Sequence, residues 1–142
     1  MPTESTLILV KPDGVATGHI GDVITRLERR RFSIDALKVV HATPAELRQH
    51  YAQLVDKPYY PDVEEFMLEG PLVAIVASGV DVIESFRKMT GPTNPQDALP
   101  GTIRGDFGRA WDLGAIRNVV HSSDSPASAK REIKIWFPDF KG

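Results

Sequence analysis

The chain has 142 residues, 42% of them hydrophobic, which suits one domain spanning residues 1–142 with a real core and argues against a disordered polymer. A net charge of −2 argues against a general nucleic-acid binder, and the absence of cysteine excludes disulfides, thiolate catalysis and cysteine-based metal sites. The opening MPTESTLILV lacks the basic start and long apolar run of a signal peptide, and no stretch is long and apolar enough to span a membrane, so a soluble cytoplasmic protein is expected.

Leu7 to Val10 reads as a short buried strand, ended by Lys11-Pro12-Asp13-Gly14, where Pro-Asp-Gly is a turn sequence. Ile20, Val23, Ile24 and Leu27 recur at helical spacing, and Arg29 to Arg31 place cations at the negative end of that helix. Phe32 to Val40 reads as a second strand. Thr43-Pro44-Ala45-Glu46 has the form of a capping box with proline at the first helical position, followed by a helix through Tyr51. Asp56 to Asp62 reads as a proline-broken loop, Val63 to Leu68 as a short helix and Leu72 to Ala77 as a strongly apolar strand. Val82, Phe86 and Met89 mark a helix behind it.

From Thr90 to Gly108 glycine and proline are dense and periodicity fails; a loop of this length in a compact domain is usually functional. Asn118 to His121 reads as a short last strand, and Ser125-Pro126 opens a helix running to about Trp136. Strands alternate with helices, and two strands are apolar throughout. The pattern fits a sheet covered by helices, either α/β or ferredoxin-like α+β.

The common phosphate signatures G-x-x-x-x-G-K-[ST] and G-x-G-x-x-G are absent, as are a G-x-S-x-G elbow and a histidine pair at metal-ligand spacing. Lys11 stands at a strand end, Arg104 in the long loop, Arg87 on a helix and His121 at the end of the last strand. Several cations near a histidine suit an anionic substrate such as a phosphate. Taken singly, each has a plainer reading: a solvated strand end, a loop anchor, an exposed helix residue, a histidine hydrogen-bonded within its loop.

Read together, KPDGV at Lys11, HY at His50, PYY at Pro58, GP at Gly70, TNP at Thr93, PGTIRGDF at Pro100, RNVVHSSDS at Arg117 and REI containing Glu132 resemble the nucleoside diphosphate kinases over nearly the whole length. That resemblance implies a ferredoxin-like α+β sandwich, a four-stranded antiparallel sheet covered by helices. It implies ping-pong transfer of the γ-phosphoryl group of a nucleoside triphosphate, mainly ATP, to a nucleoside diphosphate through a phosphohistidine. His121 matches the nucleophile and Glu132 the residue that bonds its other ring nitrogen. Tyr51 matches a tyrosine beside the histidine. Lys11, Arg87, Thr93 and Arg104 match phosphate and sugar contacts, with Asn118 helping Lys11 at the sugar hydroxyl.

Tyr59 matches an aromatic platform for the base, commonly phenylalanine, and Val63 completes an apolar clamp. Magnesium is implied as a cofactor held mainly by nucleotide phosphates, with no protein metal ligand. Expected partners are nucleoside di- and triphosphates and further copies of the chain, as a tetramer or hexamer; no membrane and no specific nucleic acid are expected. The alternative is a catalytically impaired nucleotide-binding scaffold of the same fold.

Three departures from the resemblance stand out. The segment between Arg104 and Asn118 is longer by about three residues, which a surface loop tolerates, and brings Trp111 or Ile116 towards the base. Ile116 replaces a glycine. Ser122 replaces the glycine after the nucleophile, at a cost of about 1 kcal/mol if that position requires positive φ. Retention of every matched residue leads to the expectation that these changes tune rate or base preference without abolishing transfer.

Overall fold

The computed structural model describes residues 3–110 and 115–141. Trp111 lies outside the described residues, so the expectation for its side chain is not addressed by the fold. The elements run β1 (Thr3–Val10), α1 (Pro12–Ala16), α2 (Ile20–Arg29), β2 (Ser33–Val40), α3 (Pro44–His50), α4 (Tyr60–Met67), β3 (Leu72–Val80), α5 (Val82–Thr90), α6 (Ile103–Phe107), β4 (Val120–Ser122) and α7 (Pro126–Trp136). A 3₁₀ turn spans Pro95–Asp97.

The four strands form one sheet in the order β2-β3-β1-β4, and every neighbouring pair is antiparallel. This is the ferredoxin-like α+β arrangement, so the choice left open by periodicity falls to α+β. The central strands explain why. Successive strand residues point to opposite faces, and helices cover both faces here. Ile8 and Val10 pack with Val73, Ile75, Val23, Leu27 and Phe86. Leu7 and Leu9 face the other way, onto Leu47, Phe66, Met67 and Trp136. Both central strands are therefore apolar at consecutive positions although the sheet is antiparallel. Strand β2 lies at the sheet edge and alternates instead, leaving Leu37 and Val39 exposed.

The capping box forms as expected: Thr43 Oγ1 accepts from Glu46 N–H while Glu46 takes Thr43 N–H. Helix α2 closes through Arg31 at φ 63°, with Arg31 N–H on Glu28 and Phe32 N–H on the Leu27 carbonyl, a Schellman ending.

Several boundaries differ from the expectation. The last strand runs Val120–Ser122 rather than Asn118–His121, because the backbone turns at Val119, φ 71°. Lys11 to Gly14 is not only a turn but the start of α1, because proline favours the first helical position and Asp13 suits a helix N-terminus. Helix α4 begins at Tyr60, within the expected loop, again with a proline in its first turn. The Thr90–Gly108 loop contains α6, capped by Thr102 Oγ1 accepting from Gly105 N–H; five residues are too few to show a helical period. No helix among the described residues is long and apolar enough to cross a membrane.

Candidate active site

The last strand carries His121, which lines a polar cleft. Its register pairs His121 with Leu9 and Ser122 with Ile8, so the His121 side chain shares the face of Leu9 and α7. There its Nε2 lies 2.7 Å from Glu132 Oε1. The same carboxylate oxygen accepts the Ser123 hydroxyl at 2.8 Å. Ser123 Oγ in turn accepts Leu7 N–H at 3.0 Å, which ties the pair to β1. A carboxylate oxygen facing two side chains needs a donor from each. Nε2 therefore carries the imidazole proton, and Nδ1 keeps its lone pair.

That lone pair is protected. Burial, then the charges of Lys11 and Arg104, push the His121 pKa down to about 3, so the ring is neutral at physiological pH. Burial raises the Glu132 carboxyl above its usual value, against the opposing influence of His50 and the Ser123 hydroxyl.

His121 opens into a cleft of about 530 Å³ that Lys11, Tyr51, Arg87, Thr93, Arg104 and Asn118 also line. The structure thus brings together the residues expected to handle phosphate. Lys11 Nζ donates to Asn118 Oδ1 at 2.8 Å, and Asn118 Nδ2 donates to the Thr93 carbonyl at 2.9 Å. Burial, then Arg104, lower the Lys11 pKa to about 8, with Asp13 acting in the other direction. Arg104 is both loop anchor and cleft cation. Its guanidinium donates to the carbonyls of Asn118, Gly91 and Val120 at 3.1, 3.0 and 2.7 Å, leaving two of its five N–H groups uncommitted by these bonds. Burial, then Arg87, lower its pKa to about 10. Tyr51 contributes a buried hydroxyl with no hydrogen-bond partner among the described residues, a donor held in reserve at a polar site.

A second recess of about 480 Å³ adjoins the first and shares Lys11, Tyr51, Thr93 and Asn118 with it. Its own walls are Tyr59, Val63, Phe66 and Ile116, with Tyr59 half exposed. One cleft is polar and cationic, the next apolar. A phosphorylated, ring-bearing molecule matches that sequence of surfaces.

His50, His121 and Glu132 each offer one potential ligand atom, all within 4.8 Å of one another. The donor set does not suit a metal ion. Trp136 Nε1–H donates to His50 Nδ1 at 3.1 Å, so a neutral His50 carries its proton on Nε2 and has no lone pair to offer. Burial, then His121, hold the His50 pKa well below its usual value. Glu132 and His121 are already bonded to each other.

The match to known proteins follows this geometry. The family model described as nucleoside diphosphate kinase matches residues 4–141. The chain belongs to the nucleoside diphosphate kinase family. It is 55% identical over 135 residues to the nucleoside diphosphate kinase of Streptococcus agalactiae serotype III (strain NEM316), covering 94% of this chain and 98% of that one. Among solved structures, a halophilic nucleoside diphosphate kinase from Halobacterium salinarum in complex with CDP superposes with a TM-score of 0.90 at 40% identity, covering 97% of this chain and 90% of the other. A transition-state mimic of the Borrelia burgdorferi nucleoside diphosphate kinase with bound vanadate and ADP gives 0.90 at 36% identity, covering 99% and 93%.

Within this nucleoside diphosphate kinase fold, Ser122 stands in extended strand β4 and is not among the positive-φ residues. The conditional strain cost therefore does not arise. The positive-φ residue nearest His121 is instead Val119, at φ 71°. Ile116 does reach the apolar recess. Sequence reasoning did not single out Ser123, His50 or Asp13. Ser123 was visible as the residue two positions after His121, just past the end of β4; His50 and Asp13 stand within the quoted HY and KPDGV segments, but their partners lie 86 and 106 positions away.

Proposed function

We propose that His121 is the phosphoryl acceptor in transfer of the γ-phosphoryl group from a nucleoside triphosphate, mainly ATP, to a nucleoside diphosphate. The observation that carries this reading is the bond from His121 Nε2 to Glu132, which leaves an unprotonated Nδ1 in a cationic cleft. Attack by that lone pair forms an N–P bond as the bond from the γ-phosphorus to the bridging oxygen breaks. The diphosphate leaves, and the Nε2 proton stays on the ring, bonded to Glu132. A second nucleoside diphosphate then takes the phosphoryl group by the reverse route. Splitting the transfer lets one cleft serve donor and acceptor in turn.

Phosphoryl transfer needs positioning and charge stabilisation more than covalent help. Lys11, Arg87 and Arg104 supply the positive charge, Thr93 and Asn118 frame the sugar and phosphates, and Tyr51 offers its hydroxyl to the group in transit. Tyr59 supports the base by stacking, which is tolerant of base identity because every base has a π face. CDP in one structural relative and ADP in another support a site of this breadth.

Magnesium, when bound with the nucleotide, neutralises phosphate charge. The chain's donors fit an ion carried by the phosphates and water: Glu132 is used by His121 and Ser123, and Asp124 is hydrogen-bonded by Ser128 and Ser125. We further propose one domain over residues 1–142, a cytoplasmic setting where nucleotides are abundant, and assembly as a tetramer or hexamer. The edge strand β2 with exposed Leu37 and Val39 supports assembly, and light scattering after gel filtration gives the subunit count.

The test is to mix protein with γ-labelled ATP and magnesium, denature, and count label on wild type and His121→Ala. Acid-labile, base-stable label that is absent from the variant and chases onto GDP is expected. ATP binding without label would favour the impaired scaffold.

A further inference from the structure

Two positions before His121 the backbone is bent against the preference of its residue. Val119 has φ 71°, a region that a β-branched side chain rarely enters. Val120 N–H donates to the Asn118 carbonyl at 2.7 Å, closing a three-residue γ-turn centred on Val119. The form with positive φ is the rare and strained one. Such a conformation persists only where its surroundings over-determine it.

Here they do. Lys11 N–H donates to the Val119 carbonyl at 2.8 Å. Arg104 holds the carbonyls on either side, those of Asn118 and Val120. The N–H of Val119 itself is taken by Asp13 Oδ2 at 3.0 Å. Gly14 lets this segment come close: a Cβ there would stand 2.9 Å from the Val119 carbonyl oxygen and 3.0 Å from Val119 Cγ1.

Lys11 and Arg104 both line the cleft. Asp13 does not. Its other oxygen, Oδ1, is buried without a hydrogen-bond partner among the described residues, and its charge favours the charged forms of Lys11 and Arg104. The Oδ2 contact gives a reason for the side chain to stand there. On one side of the turn is Asn118, which bonds Lys11 Nζ; on the other is the three-residue strand that carries His121.

We propose that Asp13 is a positioning residue for phosphoryl transfer, holding the strained turn at Val119 and thereby the placement of His121 and Asn118. This rests on the reading of His121 as the phosphoryl acceptor. Asp13 acts as a hydrogen-bond acceptor aimed at one N–H, and its charge is secondary.

The test is single-turnover labelling with γ-labelled ATP and magnesium across ATP concentrations, which separates the maximal rate from the apparent Kd. Wild type, Asp13→Asn, Asp13→Ala and Asp13→Ala/Val119→Gly are compared, with rates expressed per folded molecule from thermal melts. Asp13→Ala is expected to lower the maximal rate by about 10²-fold, the scale of a misplacement of about 1 Å, with a smaller rise in apparent Kd through Asn118. Asp13→Asn keeps an acceptor of the same reach and remains near wild type. Val119→Gly gives the turn to a residue that enters positive φ freely, and restores about tenfold or more of the lost rate in the alanine background.

A wild-type rate in Asp13→Ala would overturn the proposal. So would a loss confined to Kd, an asparagine variant as slow as alanine, or no rescue by glycine. If Asp13→Ala does not fold, Asp13→Ser, which shortens the reach to Val119, takes its place with the same expectations. Absence of label on wild type would reject the phosphohistidine reading itself.

Discussion

Glu132→Gln separates charge from geometry at His121, the proposed phosphoryl acceptor. In the structure a single oxygen, Glu132 Oε1, faces both His121 Nε2 at 2.7 Å and Ser123 Oγ at 2.8 Å. A glutamine that places its carbonyl oxygen there keeps both hydrogen bonds. Turned the other way, its NH₂ would face two donors at once. The amide orientation is therefore set, and with it the His121 tautomer; only the charge is lost. A hydrogen bond to a charged group contributes about 1.5–3 kcal/mol and a neutral one about 0.5–1.5. The difference of about 1–1.5 kcal/mol corresponds to roughly a tenfold slower transfer.

Glu132→Ala is different. It leaves the Nε2–H and the Ser123 hydroxyl without their acceptor and frees the ring to turn, with unsatisfied donors costing about 1–3 kcal/mol each. The expected loss is about 10²- to 10³-fold. Quench-flow labelling of His121 from γ-labelled ATP at saturating nucleotide reads both. A glutamine variant as slow as alanine would refute the reasoning, because the two-donor oxygen would then not control the tautomer. Ser123→Ala/Glu132→Gln provides the internal check. Without Ser123 the amide can flip, so the double variant should lose more than the two single losses combined.

Nitrogen-detected NMR of His121 should show a neutral ring with the proton on Nε2 throughout the physiological range, protonating only near pH 3; a midpoint near 6.5 would mean a solvated ring. Because the folded ring binds fewer protons than the unfolded one between these values, His121 contributes stability that is fully present above about pH 6.5 and lost towards pH 3, readable in urea melts across that window. Ser122→Gly should leave turnover within a few-fold of wild type, since Ser122 stands in extended strand; a rise of several orders of magnitude would contradict this. Tyr59→Ala should weaken binding of purine and pyrimidine nucleotides alike by about tenfold or more, as expected for a stacking contribution of about 1–3 kcal/mol, while leaving the maximal labelling rate nearly unchanged in stopped-flow experiments.

The central strands were legible in the chain because helices cover both faces of the sheet, which makes β1 and β3 apolar at consecutive positions. The capping box at Thr43 was legible because both of its partners lie within four residues. Helices α1 and α6 were not, since five residues bounded by proline and glycine show no period. At the site, Lys11, Arg87, Arg104 and His121 were each ambiguous alone; the order of many matched segments singled them out. The turn at Val119 was hidden for a physical reason. Two adjacent valines read as strand, and what bends them is an aspartate 106 residues earlier.

The cleft must satisfy two opposing demands. Phosphates need clustered cations, whereas a histidine nucleophile needs an unprotonated nitrogen. Near pH 7 a solvated imidazole with a pKa of about 6.5 is already mostly neutral, but a phosphate approaching it would favour the imidazolium. Placing Lys11 and Arg104 beside a buried His121 works against that, because their charges add to burial in holding the ring neutral. The cations themselves bear a cost, seen in Lys11 at about 8 and Arg104 at about 10. Phosphate binding relieves it, since an anion beside each group favours its charged form. An anion entering the cleft would supply negative charge that these cations favour. Glu132 cannot take over that role, because its Oε1 is committed to His121 and Ser123. The carboxylate fixes the proton on Nε2 while the cations keep a second proton off Nδ1, and a ring that is both oriented and neutral requires the two together.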